Sequence, residues 1–182
     1  RTAVLSLTRR YPTFTGHSAQ VARLARGLFD QIVGDKAHSL EHIRTDLHRE
    51  WLEYAALLHD IGYIVEARRH HRHSERLIRD ANLNGFTPGD INTIALAARF
   101  HRKRWREYGS KAFRGVSRVE YETVRVLAAI LRVADGLDRT HRHVVQNIDV
   151  VRTPVALELS VYATVSRDDE IWAAMKKGDL LA

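Results

Sequence analysis

A histidine and an aspartate stand side by side in the segment LLHDIGY, directly after an apolar run. Residues 54–58 have the composition of a buried helix, which would deliver His59 and Asp60 at its C-terminal end. His17 and Asp135 lie in two other segments whose apolar residues recur at helical spacing. Imidazole nitrogens and carboxylate oxygens are ligands that divalent metal ions take from proteins. The order His, His-Asp, Asp therefore predicts a metal site at the inner edges of several helices.

Each of these residues also has a simpler explanation. A single histidine on an apolar helix face, such as His17, is more often a core residue with a satisfied hydrogen bond. A single aspartate in a helix is usually paired with a base, and Arg132 and Arg139 are close enough to Asp135 in the sequence for that. However, an unpaired carboxylate on an apolar face is costly to bury. The joint occurrence of all these residues in this order favours the metal site.

Helices must position these residues, and the apolar periodicity predicts where the helices lie. In residues 16–33 apolar side chains recur at helical spacing, and His17 shares their face. Two helix starts are typical: Thr87 is followed by Pro88 and then by an acid, and Ser117 with Glu120 has the pattern of a capping box. The predicted helices cover residues 2–11, 16–33, 47–60, 74–81, 88–102 and 117–142, and Ser166 with Asp169 caps a last one.

The period of the pattern changes near the C-terminus. Apolar and polar residues alternate over 155–161, which is typical of a strand, and residues 148–151 form a second short strand across a turn. We therefore predict a mainly α fold, a helical bundle with a small C-terminal β-hairpin and a terminal helix. The predicted division is a helical domain over 1–145 and an appended hairpin and helix over 146–182.

The chain carries a strong positive charge. Its 29 Lys and Arg residues against 22 Asp and Glu residues give a formal charge of +7. Basic residues cluster in 68–79 and 99–106. Solvated helix faces are one explanation, but the clustering favours an anionic, phosphate-rich partner. The chain has no cysteine, so histidines and carboxylates must hold any metal. No apolar stretch is long enough to span a membrane, and we expect a cytoplasmic protein without a membrane partner.

Longer motifs resemble a known family. The segments GHSAQVARLARGLFD, LLHDIGY, HHRHSERLI, GFTPGDINTIALAARFHRK and LAAILRVADGLDRTH are similar to the C-terminal HD domain of the exopolyphosphatase/guanosine pentaphosphate phosphatase family. That domain belongs to the HD superfamily of metal-dependent phosphohydrolases. The resemblance covers residues 1–165, and the segment WAAMKKGDLL also fits. It implies an HD-type helical bundle in which His17, His59, Asp60 and Asp135 are the metal ligands.

The resemblance also implies a cofactor and a larger protein. Two histidines and two aspartates suit Mn, Mg, Fe, Ni, Co or Zn, so the identity of the divalent ion stays open. The phosphatase module of that family is an actin-like domain that lies upstream, and this chain contains no glycine-rich phosphate loop after a strand. The HD pair of this chain is intact, which keeps metal chemistry available to it.

Further histidines and basic residues surround the predicted ligands. In related binuclear enzymes, histidines after the HD pair bind a second metal ion or the phosphate, and His70, His73 and His101 match such positions. The simpler alternatives are an exposed basic run for HHRH and a helix-end histidine stabilised by the helix dipole for His101. Arg102 and Lys103 are predicted to bind phosphate with these histidines.

Asp60 and Arg139 are the predicted catalytic residues. Asp60 could accept a proton from water in addition to binding the metal. Arg139, four residues after Asp135, would clamp a phosphate oxygen from the same helix face. A salt bridge from Arg139 to Asp135 or Asp138 is the alternative. Two other histidines are expected at the surface or at a helix end: His141 and His143.

Two functions of different classes follow from these patterns. The first is a metal-dependent phosphohydrolase domain that acts on or binds polyphosphate or a phosphorylated nucleotide. The alternative is a non-catalytic module of a larger exopolyphosphatase-like enzyme, which binds polyphosphate or a nucleotide or forms a homodimer. We do not expect a nucleic-acid partner, because the positive charge comes without a recognition motif or an aromatic platform.

Overall fold

The computed structural model describes residues 1–34, 43 and 46–181, and these residues are mainly helical. This confirms the predicted mainly α fold with a small hairpin and a C-terminal helix. Within the described ranges, no helix combines the length and apolar character needed to cross a membrane. The described elements are α1 Thr2–Arg10, α2 Thr15–Gly34, α3 Asp46–Leu58, α4 His70–Asp80, α5 Pro88–Arg99, α6 Arg118–Gly136, β1 Val145–Arg152, β2 Leu157–Ala163 and α7 Asp168–Lys177.

Two helices begin as the sequence predicts. The Thr87 hydroxyl accepts a hydrogen bond from the Asp90 amide, and the Asp90 carboxylate accepts one from the Thr87 amide. Ser117 and Glu120 make the same reciprocal pair at the start of α6. These bonds satisfy backbone amides that have no acceptor within the first turn of a helix. Both helices that lead toward the candidate site therefore have well-defined starts.

The start of α7 differs from the prediction. The Ser166 hydroxyl bonds to the carboxylate of Asp168, and the N-cap residue is Arg167, which makes no side-chain cap. The predicted cap by Ser166 and Asp169 is therefore wrong, although the helix itself is present.

Three helix boundaries near the candidate site also differ from the prediction. Helix α4 begins at His70, and α5 already ends at Arg99. Helix α6 ends at Gly136 and does not continue toward residue 142. His141 and His143 have φ values of 58° and 55°, in the left-handed region that a right-handed helix cannot use. The residues after Gly136 therefore form turns beside the site.

Helix α6 packs against α2, α3, α5 and α7. Its side chains Leu127, Ile130 and Leu131 are fully buried, and they belong to the same apolar cluster as Val21 and Leu28 of α2. Burial of apolar surface is the main favourable term in such packing. This packing brings the C-terminal end of α6 next to the first turn of α2 and the end of α3.

The hairpin is tied to the helices through the outer edge of β1. Strands β1 and β2 pair in antiparallel orientation. On the other side of β1, the Gln20 side chain donates to the Val145 carbonyl at 2.7 Å, and the Gln31 side chain donates to the Ile148 carbonyl at 2.7 Å. The Val150 amide in turn donates to the Gln31 side chain at 2.8 Å. Side chains of α2 thus satisfy backbone groups that an open strand edge would expose.

Candidate metal centre

The predicted metal ligands lie together at one end of the bundle. His17 is in the first turn of α2, His59 and Asp60 directly follow α3, and Asp135 is in the last turn of α6. The Nε2 atoms of His17 and His59 lie 3.3 and 3.9 Å from Oδ1 of Asp135. Nε2 of His59 lies 3.5 Å from Oδ2 of Asp60. The side chains of His17, His59 and Asp60 are buried, and that of Asp135 is partly buried.

Hydrogen bonds at Nδ1 orient the two histidines. Nδ1 of His17 bonds to the carboxylate of Asp138 at 2.8 Å, and Nδ1 of His59 bonds to the carbonyl of Ala56 at 2.7 Å. A carboxylate or carbonyl oxygen accepts only, so Nδ1 of each ring carries the proton. The Nε2 atoms of both rings are buried and make no hydrogen bond with any described residue. Such fixed rings, with Nε2 directed inward, are typical of histidines that bind metal ions.

A second pair of histidines approaches Asp60 from the other side. Nδ1 of His70 bonds to the Ala67 carbonyl, and Nδ1 of His101 bonds to the Ala98 carbonyl. Their Nε2 atoms lie 3.2 Å apart, and they are 3.2 and 3.7 Å from Oδ1 of Asp60. With both Nδ1 atoms protonated, the Nε2 lone pairs face each other and repel. A proton or a metal ion at Nε2 would remove this repulsion.

The turn after the HD pair depends on a close approach to α4. A Cβ at Gly62 would lie 2.2 Å from the His70 carbonyl oxygen, so only glycine fits there. The Gly62 amide donates to the Ser74 hydroxyl at 2.9 Å, and this hydroxyl donates to the His59 carbonyl at 2.6 Å. The small residue Ser74 therefore locks the HD turn onto α4 and places His70 beside Asp60.

Both carboxylates of the site are ionised. Burial alone would raise the pKa of Asp60, but the neighbouring His59 and the other site histidines hold this pKa well below its usual range. Burial would also raise the pKa of Asp135, but the Lys177 ammonium and His17 hold it well below. Ionised carboxylates are the form that binds metal ions.

The pKa values of His17 and His101 shift in opposite directions. Burial opposes protonation of His17, but the carboxylates of Asp135 and Asp138 outweigh it and raise the pKa of His17 to about 9. For His101, burial dominates and the charge of His59 adds to it, so the pKa lies well below its usual value. Without a metal ion, a proton on His17 would thus neutralise part of the negative charge of the carboxylates.

The ion-pair partner of Asp135 is Lys177, at the end of α7. Its ammonium contacts Oδ2 of Asp135. The sequence suggested a salt bridge to Asp135 from Arg132 or Arg139. Asp135 does form a salt bridge, but its basic partner is Lys177. Arg132 instead donates to the carbonyls of Lys103 and Lys177 and to the carboxylate of Asp179.

The residues predicted to bind phosphate occupy different places. His70 and His101 lie within the site, and the exposed-run interpretation is wrong for His70 and its neighbour His71, which are both buried. His73 is half-buried with Nε2 3.4 Å from the Glu66 carboxylate, and no contact among the described residues joins it to Asp60. We therefore find His73 outside the cluster.

The three basic residues predicted to contact phosphate lie in three different positions. Nη1 of Arg102 is 3.2 Å from Nδ1 of His70. Lys103 is exposed, and its carbonyl is held by Arg132. Arg139 is exposed and lies beyond the end of α6, so it does not share a helix face with Asp135 as predicted. It is close enough to Tyr63, whose ring stacks on His70, to act on the pKa of that phenol.

A cationic pocket of about 460 Å³ lies next to Arg102. Within it, burial and the charge of Arg102 lower the pKa of His71 to about 4. Nδ1 of His71 is buried and has no hydrogen-bond partner among the described residues. The pocket therefore offers many positive charges and one neutral histidine to an anion. Its lining residues are Arg68, Arg69, His71, Arg72, Arg99, Phe100, Arg102, Lys103, Arg104 and Arg106.

Three residues of the site were not found from the sequence. Asp138 is fully buried and orients His17 and His143. His141 is exposed as expected, but its ring stacks on His17 with a centroid distance of 3.8 Å. Lys177 contacts Asp135 from a distant part of the chain. Only Asp138 had a local signal, since it follows Asp135 by three residues in the motif DGLD.

The donor atoms present fit a divalent metal ion. His17, His59 and Asp135 form one group of atoms close enough to hold an ion, and His59, Asp60 and His101 form another. Nε2 of His17, Nε2 of His59 and Oδ1 of Asp60 are buried without a hydrogen bond to any described residue. Buried polar atoms without partners are costly, and cations bound by these two groups would give the nitrogen and oxygen atoms partners.

Comparison with known families matches most of the chain to one family. A family model described as Ppx/GppA phosphatase, domain III, matches residues 1–174. The match includes every candidate ligand and the whole of the cationic pocket, and it ends within α7.

Proposed function

The chain belongs to the Ppx/GppA phosphatase family, as its domain III, and on that premise we propose that it is a metal-dependent phosphohydrolase domain acting on polyphosphate or a phosphorylated nucleotide. The proposed metal ligands are His17, His59, Asp60 and Asp135. Mn, Mg, Fe, Ni, Co and Zn all suit these ligands. The HD-type assignment is part of the same proposal.

One observation carries the proposal. The buried Nε2 atoms of His17 and His59 converge on the ionised carboxylates of Asp60 and Asp135, at distances of 3.3, 3.5 and 3.9 Å. Most buried polar side-chain atoms in proteins have a hydrogen-bond partner. Here the inward nitrogens face acceptors whose low pKa values keep them charged. A cation is the ligand that this arrangement favours.

In the proposed reaction, different residues of the chain have different roles. A bound divalent ion would supply Lewis-acid polarisation of a phosphoryl oxygen. Asp60 has a pKa far below neutrality, so it is better suited to hold the ion than to accept a proton from water. His70 and His101 lie on the far side of Asp60, where they can contact a second ion or a phosphate oxygen.

The basic side chains near the metal centre suit a substrate with several phosphates. Arg102 touches both His70 and the cationic pocket, so a phosphate chain bound in the pocket would extend toward the metal centre. Lys103 lines the same pocket, and the exposed Arg139 adds positive charge near Tyr63, whose ring stacks on His70. Preorganised cations of this kind stabilise the charge that develops when a phosphoanhydride or phosphoester bond breaks.

A second candidate function is a binding module without chemistry of its own. It is favoured by the size of the cationic pocket, whose side chains could hold polyphosphate or a nucleotide with no metal present. It is also favoured by the Lys177 ammonium, which already neutralises one proposed ligand. Such a module would present its anion to another domain or take part in a homodimer.

Metal analysis and a phosphatase screen test the proposal. We expect purified protein to bind about one equivalent of Mn²⁺ or more, and Asp60→Ala to lose this binding. Asp80→Ala, which removes an exposed carboxylate paired with Arg76, is the control. Hydrolysis of polyphosphate, pyrophosphate and nucleotides with added Mn²⁺, Mg²⁺ or Ni²⁺ then separates the two functions. Absence of metal in both the wild type and Asp60→Ala would reject the metal-dependent function.

A further inference from the structure

Helix α7 crosses the end of α6 in direct backbone contact. A Cβ at Gly136 would lie 2.6 Å from Cα of Ala174, so the two helices meet where neither has a bulky side chain. Near the start of α7, the buried Glu170 accepts hydrogen bonds from the amide and the hydroxyl of Thr140 at 3.3 and 2.5 Å. Helix α7 is therefore fixed to the segment that follows the metal-binding end of α6.

The other end of α7 is held by Arg132, a buried residue of α6. Its Nε donates to the Lys177 carbonyl at 3.1 Å, and its Nη2 donates to the Asp179 carboxylate at 2.5 Å. A third bond, from Nη1 to the Lys103 carbonyl at 2.7 Å, joins the same guanidinium to the cationic pocket. These contacts hold the backbone of Lys177, and they do not depend on its side chain.

The side chain of Lys177 then reaches the metal centre. Its ammonium contacts Oδ2 of Asp135, while Oδ1 of Asp135 faces Nε2 of His17 and Nε2 of His59. The two oxygens of one carboxylate are thus divided between an ammonium and the inward-facing histidines. Lys177 is mostly shielded from water, with a quarter of its side chain exposed, so its charge is only partly screened.

We propose that Lys177 is a tethered cation that holds Asp135 and opposes metal binding at this carboxylate. This inference rests on the proposed function, because it assigns Asp135 to the metal ion. Lys177 is a positioning residue: it acts through Asp135 and leaves a single oxygen of that carboxylate for the ion. The result is a centre whose negative charge is partly offset without metal and which binds a divalent ion more weakly than its ligands alone would allow.

Two physical effects both predict tighter metal binding when the charge of Lys177 is removed. A fixed ammonium near a divalent ion repels it, most strongly where water is excluded. Removing the ammonium also leaves Asp135 as a buried carboxylate without its ion pair, which destabilises the protein in the absence of metal. Both effects make metal binding more favourable when Lys177 loses its charge. A role limited to packing or to ordering Asp135 would instead leave metal affinity unchanged or weaken it.

The test compares Lys177→Met with Lys176→Met. Lys176 precedes Lys177 on the same helix, but its ammonium lies over the Trp172 ring and is exposed. Mn²⁺ affinity is measured by calorimetry, and thermal unfolding is measured in EDTA, both on the full chain. For Lys177→Met we expect affinity tighter by about 10-fold to 100-fold, because one repelling charge near the ion is removed, together with a lower unfolding temperature in EDTA.

Lys176→Met should match the wild type in both measurements, and Lys177→Arg, which keeps the charge, should keep the wild-type affinity. Unchanged or weaker Mn²⁺ binding by folded Lys177→Met would overturn the proposal. If Lys177→Met unfolds, Lys177→Gln decides by the same criterion. Wild-type protein that binds no Mn²⁺ would instead reject the proposed function, so the two failures are distinguishable.

Discussion

Nε2 of His70 and Nε2 of His101 face each other at 3.2 Å, and Oδ1 of Asp60 lies beside both. Nδ1 of each ring donates a hydrogen bond to a backbone carbonyl of the preceding turn. The rings are therefore held in place by the local backbone, and neither can turn away to relieve the repulsion between lone pairs. This pair extends the cluster of His17, His59 and Asp135 toward the cationic pocket.

If this pair contributes to metal binding, removing one ring should weaken it. We expect His101→Ala to lower Mn²⁺ affinity by about tenfold or more, because it deletes a buried nitrogen beside Asp60. His73→Ala is the matched control, since His73 pairs with Glu66 outside the cluster. Calorimetric titration gives both the affinity and the number of ions bound. Equal effects of the two substitutions would contradict the assignment of His101 to the site.

Asp138, whose carboxylate bonds to Nδ1 of His17, should affect metal affinity nearly as much as a metal ligand does. Asp138→Asn replaces an acceptor with an amide and weakens the bond that orients His17, so we expect Mn²⁺ affinity to fall by about 10-fold to 100-fold. Asp169→Asn, an exposed carboxylate of α7, is the control. Thermal unfolding checks that the fold persists. A folded Asp138→Asn protein with wild-type affinity would show that Asp138 serves the fold alone.

Stability in the absence of metal should depend on pH through His17. Its pKa is raised from 6.5 to about 9, so the folded state binds this proton more tightly than the unfolded state. The resulting stabilisation is complete below 6.5 and is lost as the pH rises through 9. By linkage it amounts to about 3 kcal/mol at most.

Urea unfolding in EDTA measures this effect at about pH 6, pH 8 and pH 10. The free energy of unfolding should fall across this range in the wild type. His17→Gln should lack this component, and its remaining pH dependence reports the other titrating groups. A wild-type curve parallel to that of His17→Gln would contradict the assigned protonation of His17.

The cationic pocket should bind phosphate chains without metal. Arg72 lines the pocket, so Arg72→Gln should weaken binding of tripolyphosphate in EDTA by roughly threefold to tenfold, as expected for one charge-assisted contact near solvent. Arg76→Gln, on the same helix but paired with Asp80, should have little effect. Equal loss for both variants would mean that net charge, and not this pocket, determines binding.

Much of the fold and part of the site can be predicted from local sequence patterns. The capping box at Thr87, the box at Ser117 and the alternating strand β2 depend on residues close in sequence, and each is present in the structure. The clustering of His17, His59 and Asp135 also follows the predicted order of helices. Local hydrogen bonding and apolar periodicity are sufficient for such features, because they act within one or two turns.

Other features depend on contacts between distant segments, and only the tertiary structure decided them. Asp135 is paired with Lys177, although arginines closer in the sequence were available, because α7 docks across Gly136 and brings its last residue to the carboxylate. His141 stacks on His17 because α6 ends early and the chain turns back. The sequence by itself determined which residue types could bind a metal ion. The packing of α7 and of the turn after α6 decided which charges and rings surround them, since those energies depend on distances in space.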